Sequence, residues 1–140
     1  MAAIRVLVTC SAFFWLTTSA LAQSFEGKWA AEMDCHKLSF TTNAVKEPFE
    51  LRVSGATVKY TREIFDPDGS RIGTEEGTGI VSTDGKMTLH AVGKSAVYRK
   101  NYTGSYSGKL SGQSGTLRGT QVWRLGAKTE DRACTIMLKR

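Results

Sequence analysis

The sequence predicts an all-β protein, an antiparallel up-and-down barrel of about eight strands, and three observations carry that reading. Short segments of alternating apolar and polar residues recur at roughly ten-residue spacing, the mark of strands with one buried face. Fourteen glycines but only two prolines punctuate them, supplying turns without interrupting the segments. Helical periodicity is absent from every longer stretch. A β-sandwich with one strand missing or split is the alternative architecture that the same pattern allows.

Residues 1–22 have the make-up of a secretory signal, with Arg5 as the only charge, an apolar run from Val6 to Leu16 and small residues Ala20 and Ala22 at the cleavage positions. Thr9, Ser11, Thr17, Thr18 and Ser19 break the run, which falls short of the roughly 18 apolar residues a membrane span needs. The expected mature protein is therefore a single domain, 23–140, periplasmic or secreted and not membrane-spanning after signal removal. Losing Arg5 lowers the formal charge of +6 by one. The remaining basic residues are scattered, with no run longer than Arg99-Lys100 or Lys139-Arg140, so nucleic acid is not an expected partner.

The strands expected in order are 27–38, 48–53, 56–65, 71–82, 86–92, 95–108, 116–125 and 132–140. In the first, Trp29, Ala31, Met33 and Cys35 share a face against Lys28, Glu32 and Asp34. Phe49, Leu51 and Val53 give the second an apolar face, and Tyr60, Arg62 and Ile64 give the third a mixed one. The fourth is rich in Gly and Thr, and its Glu75 and Glu76 group with Asp66 and Asp68 as a solvated acidic hairpin region. Met87, Leu89 and Ala91 turn inward on the fifth, leaving His90 outside. Tyr98, Tyr102 and Tyr106 share a face of the sixth, Leu117, Gln121, Trp123 and Leu125 a face of the seventh, and Cys134, Ile136 and Leu138 a face of the eighth. Asp66-Pro67-Asp68-Gly69 and Thr83-Asp84-Gly85-Lys86 carry hairpin-turn chemistry, 110–115 reads as a Gly/Ser loop, and 39–46 as a short helix or irregular loop.

Once Cys10 leaves with the signal, Cys35 and Cys134 are the only cysteines, one near each end of the mature chain, and an oxidising compartment would join them. If they sit side by side on antiparallel first and last strands, paired positions sum to 169. Trp29 then falls opposite Arg140, and a guanidinium stacked on the indole closes that end of the barrel.

On Gly27-Lys28-Trp29, preceded by Phe25, with Arg140 or Arg132 as the late basic residue, the chain resembles the calycins, the lipocalin and avidin-like barrels. Tyr106-Ser107-Gly108-Lys109 and Gly119-Thr120-Gln121-Val122-Trp123 are loosely similar to late avidin-like strands. It also looks like small exported β-proteins of alphaproteobacteria that begin near Phe-X-Gly-X-Trp and carry one early and one late cysteine. The resemblance implies a barrel closed beneath Trp29 by Gly27 and Arg140. It does not imply biotin, because only Trp29 and Trp123 remain after signal removal, where the avidins wall their ligand with several tryptophans.

No catalytic constellation stands out, and the protein is expected not to be an enzyme. His36 and His90 lack further ligands at metal-site spacing, Asp-Pro-Asp-Gly lacks the spaced oxygens of a calcium loop, and Gly77-Thr78-Gly79 has no following helix to form a phosphate cradle. No metal or other cofactor is expected. Trp29, Tyr98, Tyr102, Tyr106, Gln121 and Trp123 are the candidate lining of a site for a small hydrophobic or aromatic ligand, because aromatic walls with a few hydrogen-bonding groups are the usual make-up of such sites. The alternative is a protein-interaction module with an envelope protein as partner, such as an inhibitor of a protease or a lysozyme.

Overall fold

A computed structural model of the chain describes residues 24–40, 45–65, 69–95 and 100–140, with Val45 and Lys100 described in backbone only. The expected signal segment, Tyr98 and the Asp66-Pro67-Asp68 part of its turn lie outside these residues. The described chain forms eight strands and no helix: β1 (Gly27–Cys35), β2 (Val45–Ser54), β3 (Thr57–Phe65), β4 (Arg71–Val81), β5 (Lys86–Ser95), β6 (Lys100–Ser111), β7 (Ser114–Leu125) and β8 (Lys128–Lys139). Each pairs antiparallel with the next, and β8 returns to β1, giving a closed barrel rather than a sandwich.

Closure follows the 169 register, from Ala30↔Lys139 to Cys35↔Cys134, and the two cysteines form a disulfide directly across that ladder. Bridging positions 99 residues apart constrains the unfolded chain by roughly 4–5 kcal/mol on chain-entropy grounds.

Several boundaries move from those the pattern implied. Residues 110–115 are not a loop: β6 and β7 run to Ser111 and from Ser114, so a tight hairpin turns at Gly112-Gln113. β1 stops at Cys35, while β8 begins at Lys128, because the polar residues Lys128 to Asp131 still pair with β7. β2 starts at Val45 and carries Pro48 opposite Glu32. Proline is tolerated there because β2 pairs with β3 only from Arg52↔Lys59 to Ser54↔Thr57, leaving its first half an edge on that side. The Thr83-Asp84-Gly85 turn forms as expected, with Gly85 at φ 84°. There the Ser82 hydroxyl and the Lys86 amide donate to Asp84 and hold its carboxyl at about 2.

The interior divides along the barrel axis. Around Trp29, the side chains of Leu51, Val53, Met87, Leu117, Ile136 and Leu138 form an apolar plug, each at most 1% exposed. Burying a side chain of this size stabilises by about 1.5–3 kcal/mol, so this half carries much of the core energy. The N-terminal residues close the end: the Trp29 indole donates to the Phe25 carbonyl at 2.9 Å, Arg140 lies 5.9 Å from the indole centroid, and its Nη1 donates to the Ser24 carbonyl at 3.1 Å. The middle of the interior is polar, and a second apolar cluster lies beyond it around Trp123.

Candidate functional site

Alternation on β3 and β4 sends Tyr60, Arg62 and Ile64 inward from one strand and Glu75 and Gly77 from its neighbour. Register then sets Arg62 directly beside Glu75, and Tyr60 beside Gly77. The glycine is required by its neighbour: a Cβ at Gly77 would lie 2.0 Å from the Tyr60 ring. Gly93 stands in the same relation to Tyr102 across β5 and β6, again at 2.0 Å. The two rings therefore lie flat against the barrel wall and send their hydroxyls to its centre.

Glu75 occupies that centre with no solvent exposure. It accepts hydrogen bonds from the Tyr60 and Tyr102 hydroxyls, from Arg62 Nη2 at 2.9 Å and from Gln121 Nε2 at 3.4 Å. Sequence pattern had placed this residue in a solvated acidic turn; instead it is the most buried carboxylate among the described residues, separated in space from exposed Glu76 by the pleat of β4. The discoverable signal was parity, because Glu75 shares a strand face with Gly77, Gly79 and Val81. Glu47 of β2 adds a second carboxylate on Arg62 Nη1, and Phe49 packs 4.7 Å from the Tyr60 ring and 5.8 Å from the guanidinium. These side chains cover the stretch where β2 and β3 do not pair. Arg62 Nε makes no hydrogen bond among the described residues.

The buried groups are held in fixed protonation states. Burial, reinforced by the Glu75 charge, pushes the Tyr60, Tyr102 and Tyr106 hydroxyls well above the usual phenol range. Burial also pulls the Arg62 guanidinium down, but the Glu75 charge and hydrogen bond, helped by Tyr102 and Glu47, outweigh it and raise it further. Such a carboxylate, engaged by four donors, serves as a structural anchor for the tyrosines.

From this centre a chain of hydrogen bonds leads toward the end of the barrel opposite Trp29. Gln121 Nε2 donates to the Tyr106 hydroxyl at 2.9 Å, while its Oε1 accepts from Arg132 Nε at 2.8 Å and from the Trp123 indole at 3.2 Å. Trp123 is clasped on several sides. Tyr102 stacks on it at 4.2 Å, Phe40 meets it edge-on at 5.6 Å, and the Arg132 guanidinium lies 5.2 Å from its centroid. Leu38, Ile64, Ile72 and Leu125 complete this second apolar cluster. Of the residues after β1, Leu38 and Phe40 pack into this cluster, and between them the Ser39 amide and hydroxyl donate to Glu130. On the rim between β4 and β5 is an open recess of about 260 Å³, lined by Arg71, Ile72, Gly73, Thr74, Lys94 and Ser95.

Of the residues that sequence reasoning grouped as a lining, Tyr102, Tyr106, Gln121 and Trp123 come together. Trp29 does not join them, lying in the apolar plug at the far end. Arg132, an alternative partner for Trp29 by sequence, stacks instead on Trp123, and Arg140 takes the Trp29 position. His36 and His90 are exposed, and no group of three metal-ligating side chains occurs among the described residues.

No protein-family model and no curated protein matches the chain. Among solved structures, the chain is similar to the ywiB protein of Bacillus subtilis at a TM-score of 0.45 and 11% sequence identity, over 84% of this chain and 94% of that one.

Proposed function

We propose that the chain is an exported, non-catalytic β-barrel, calycin-like and similar to small exported β-proteins of alphaproteobacteria, that binds a small hydrophobic or aromatic ligand at the mouth around Trp123. The observation that carries this reading is the Trp123 cluster itself. An indole faced by Tyr102, Phe40 and Arg132, with Gln121 beneath it, combines aromatic walls with a few fixed polar groups, as small-molecule sites do. The Glu75 network fills the middle of the barrel and Trp29 is sealed under Arg140, so the ligand sits at the mouth and not deep in the core. The disulfide is compatible with an oxidising compartment, in line with a cleaved leader before Gln23.

The test is native mass spectrometry of the purified chain, followed by titration of tryptophan emission with whatever co-purifies. Binding should quench Trp123, and Trp123→Ala should weaken binding more than it lowers the melting temperature. Unchanged emission, with no bound mass in chain purified from the exporting host, would overturn the reading.

A second reading is a protein-interaction module, such as a periplasmic protease or lysozyme inhibitor. It is favoured by the occupied mid-barrel, which supplies a rigid scaffold, and by Phe65, 47% exposed at the end of β3.

A further inference from the structure

The charges inside the barrel are unequally matched. Arg62 has two carboxylates, Glu75 and Glu47. Arg132, only 6% exposed, has none among the described residues. Its Nε is committed to Gln121 Oε1, and one face of the guanidinium rests on Trp123. Its two terminal amino groups make no hydrogen bond among the described residues, beside the Trp123 indole on which the guanidinium rests. Glu130, two residues earlier on the same strand, is held by the Ser39 amide and hydroxyl. Across the mouth the recess adds the cations Arg71 and Lys94, the former already paired with Glu63.

A cation taken almost wholly out of water without a counter-charge is costly, and a guanidinium whose Nε and ring face are fixed presents its remaining donors as a fork suited to two anionic oxygens. Burial accordingly pulls the Arg132 guanidinium below its ordinary range, an expense that a bound anion would relieve. We infer that the ligand is an organic anion, an aromatic or acyl carboxylate or sulfonate, whose charged head is held by the Arg132 terminal amino groups while its apolar body lies against Trp123 and Phe40. This rests on the mouth being a ligand site and adds the chemical class of what it takes.

A matched pair of dyes tests it on the disulfide-intact chain: anilinonaphthalene sulfonate and the uncharged phenyl-naphthylamine, which share an aromatic body and differ in the anion. The wild type should bind the sulfonate about tenfold more tightly than the neutral dye, with one-to-one stoichiometry and energy transfer from tryptophan. Arg132→Gln should erase the preference, the sulfonate losing more affinity than the neutral dye, and Arg132→Lys should restore part of it. Equal affinities in the wild type, or a preference that survives Arg132→Gln, would overturn the anion assignment while leaving the mouth as a binding site. Failure of both dyes to bind would overturn the mouth as a site and the anion assignment with it. The wild-type comparison decides the matter even if Arg132→Gln does not fold.

Discussion

Arg62 Nη2 donates to Glu75 Oε2 at 2.9 Å in the middle of the barrel, and the pair is not symmetric. Among the described residues Glu75 has Arg62 as its only ion-pair partner, whereas Arg62 also holds Glu47 at the edge of the interior. Removing the arginine strands a fully buried carboxylate. Removing the carboxylate leaves the arginine still paired.

Arg62→Met should therefore destabilise by about 3–5 kcal/mol, and Glu75→Gln by less, about 1–3 kcal/mol, since the amide keeps the tyrosine hydroxyls partnered. In the double variant the losses should be well short of additive. Urea unfolding of the three variants measures this, and equal, additive losses would contradict the asymmetry.

Stability should fall steeply at alkaline pH. Three hydroxyls, those of Tyr60, Tyr102 and Tyr106, have folded-state pKa values raised above the unfolded value near 10. A raised pKa means the stabilisation is whole below about pH 10 and is lost as the pH climbs from there toward the folded values, because the unfolded chain releases protons that the folded one keeps. Three such groups give a slope of roughly 4 kcal/mol per pH unit at its steepest. Phenolate absorbance of Tyr60, Tyr102 and Tyr106 should consequently rise together with loss of the β-sheet circular dichroism signal.

Gly93→Ala should destabilise by about 1–3 kcal/mol through overpacking, since the new methyl would meet the Tyr102 ring at 2.0 Å. Combining it with Tyr102→Leu should recover part of that loss, which thermal unfolding of the single and double variants would reveal. A harmless Gly93→Ala would mean that the ring does not lie against the wall.

At the opposite end, Arg140 is exposed, so its contact with Trp29 should contribute only about 0.5–1 kcal/mol. Arg140→Ala should cost that much, Arg140→Lys somewhat less, and both effects should shrink in a Trp29→Leu background. A double-mutant cycle reading no coupling would reduce the Arg140 side chain to its hydrogen bond with Ser24.

Strand number, inward faces and the closing register were legible in the sequence because each depends on local quantities. The period-two pattern assigns Trp29, Leu51, Met87, Leu117 and Ile136 to the interior whatever their partners, and two cysteines on apolar faces fix β1 against β8. The polar centre was not legible in that way. Glu75 follows a turn rich in acids, and nothing local distinguishes a solvated carboxylate from a buried one until β3 sets Arg62 beside it and tyrosines from β3 and β6 reach it over glycines on β4 and β5. Which arginine serves which tryptophan was likewise a matter of height along the barrel, with Arg132 on β8 and Arg140 just past its end, eight residues apart but stacked on indoles at opposite ends. Alternation tells a side chain which way to point; only closure of the sheet decides what it meets there, because the meeting is between strands distant in sequence.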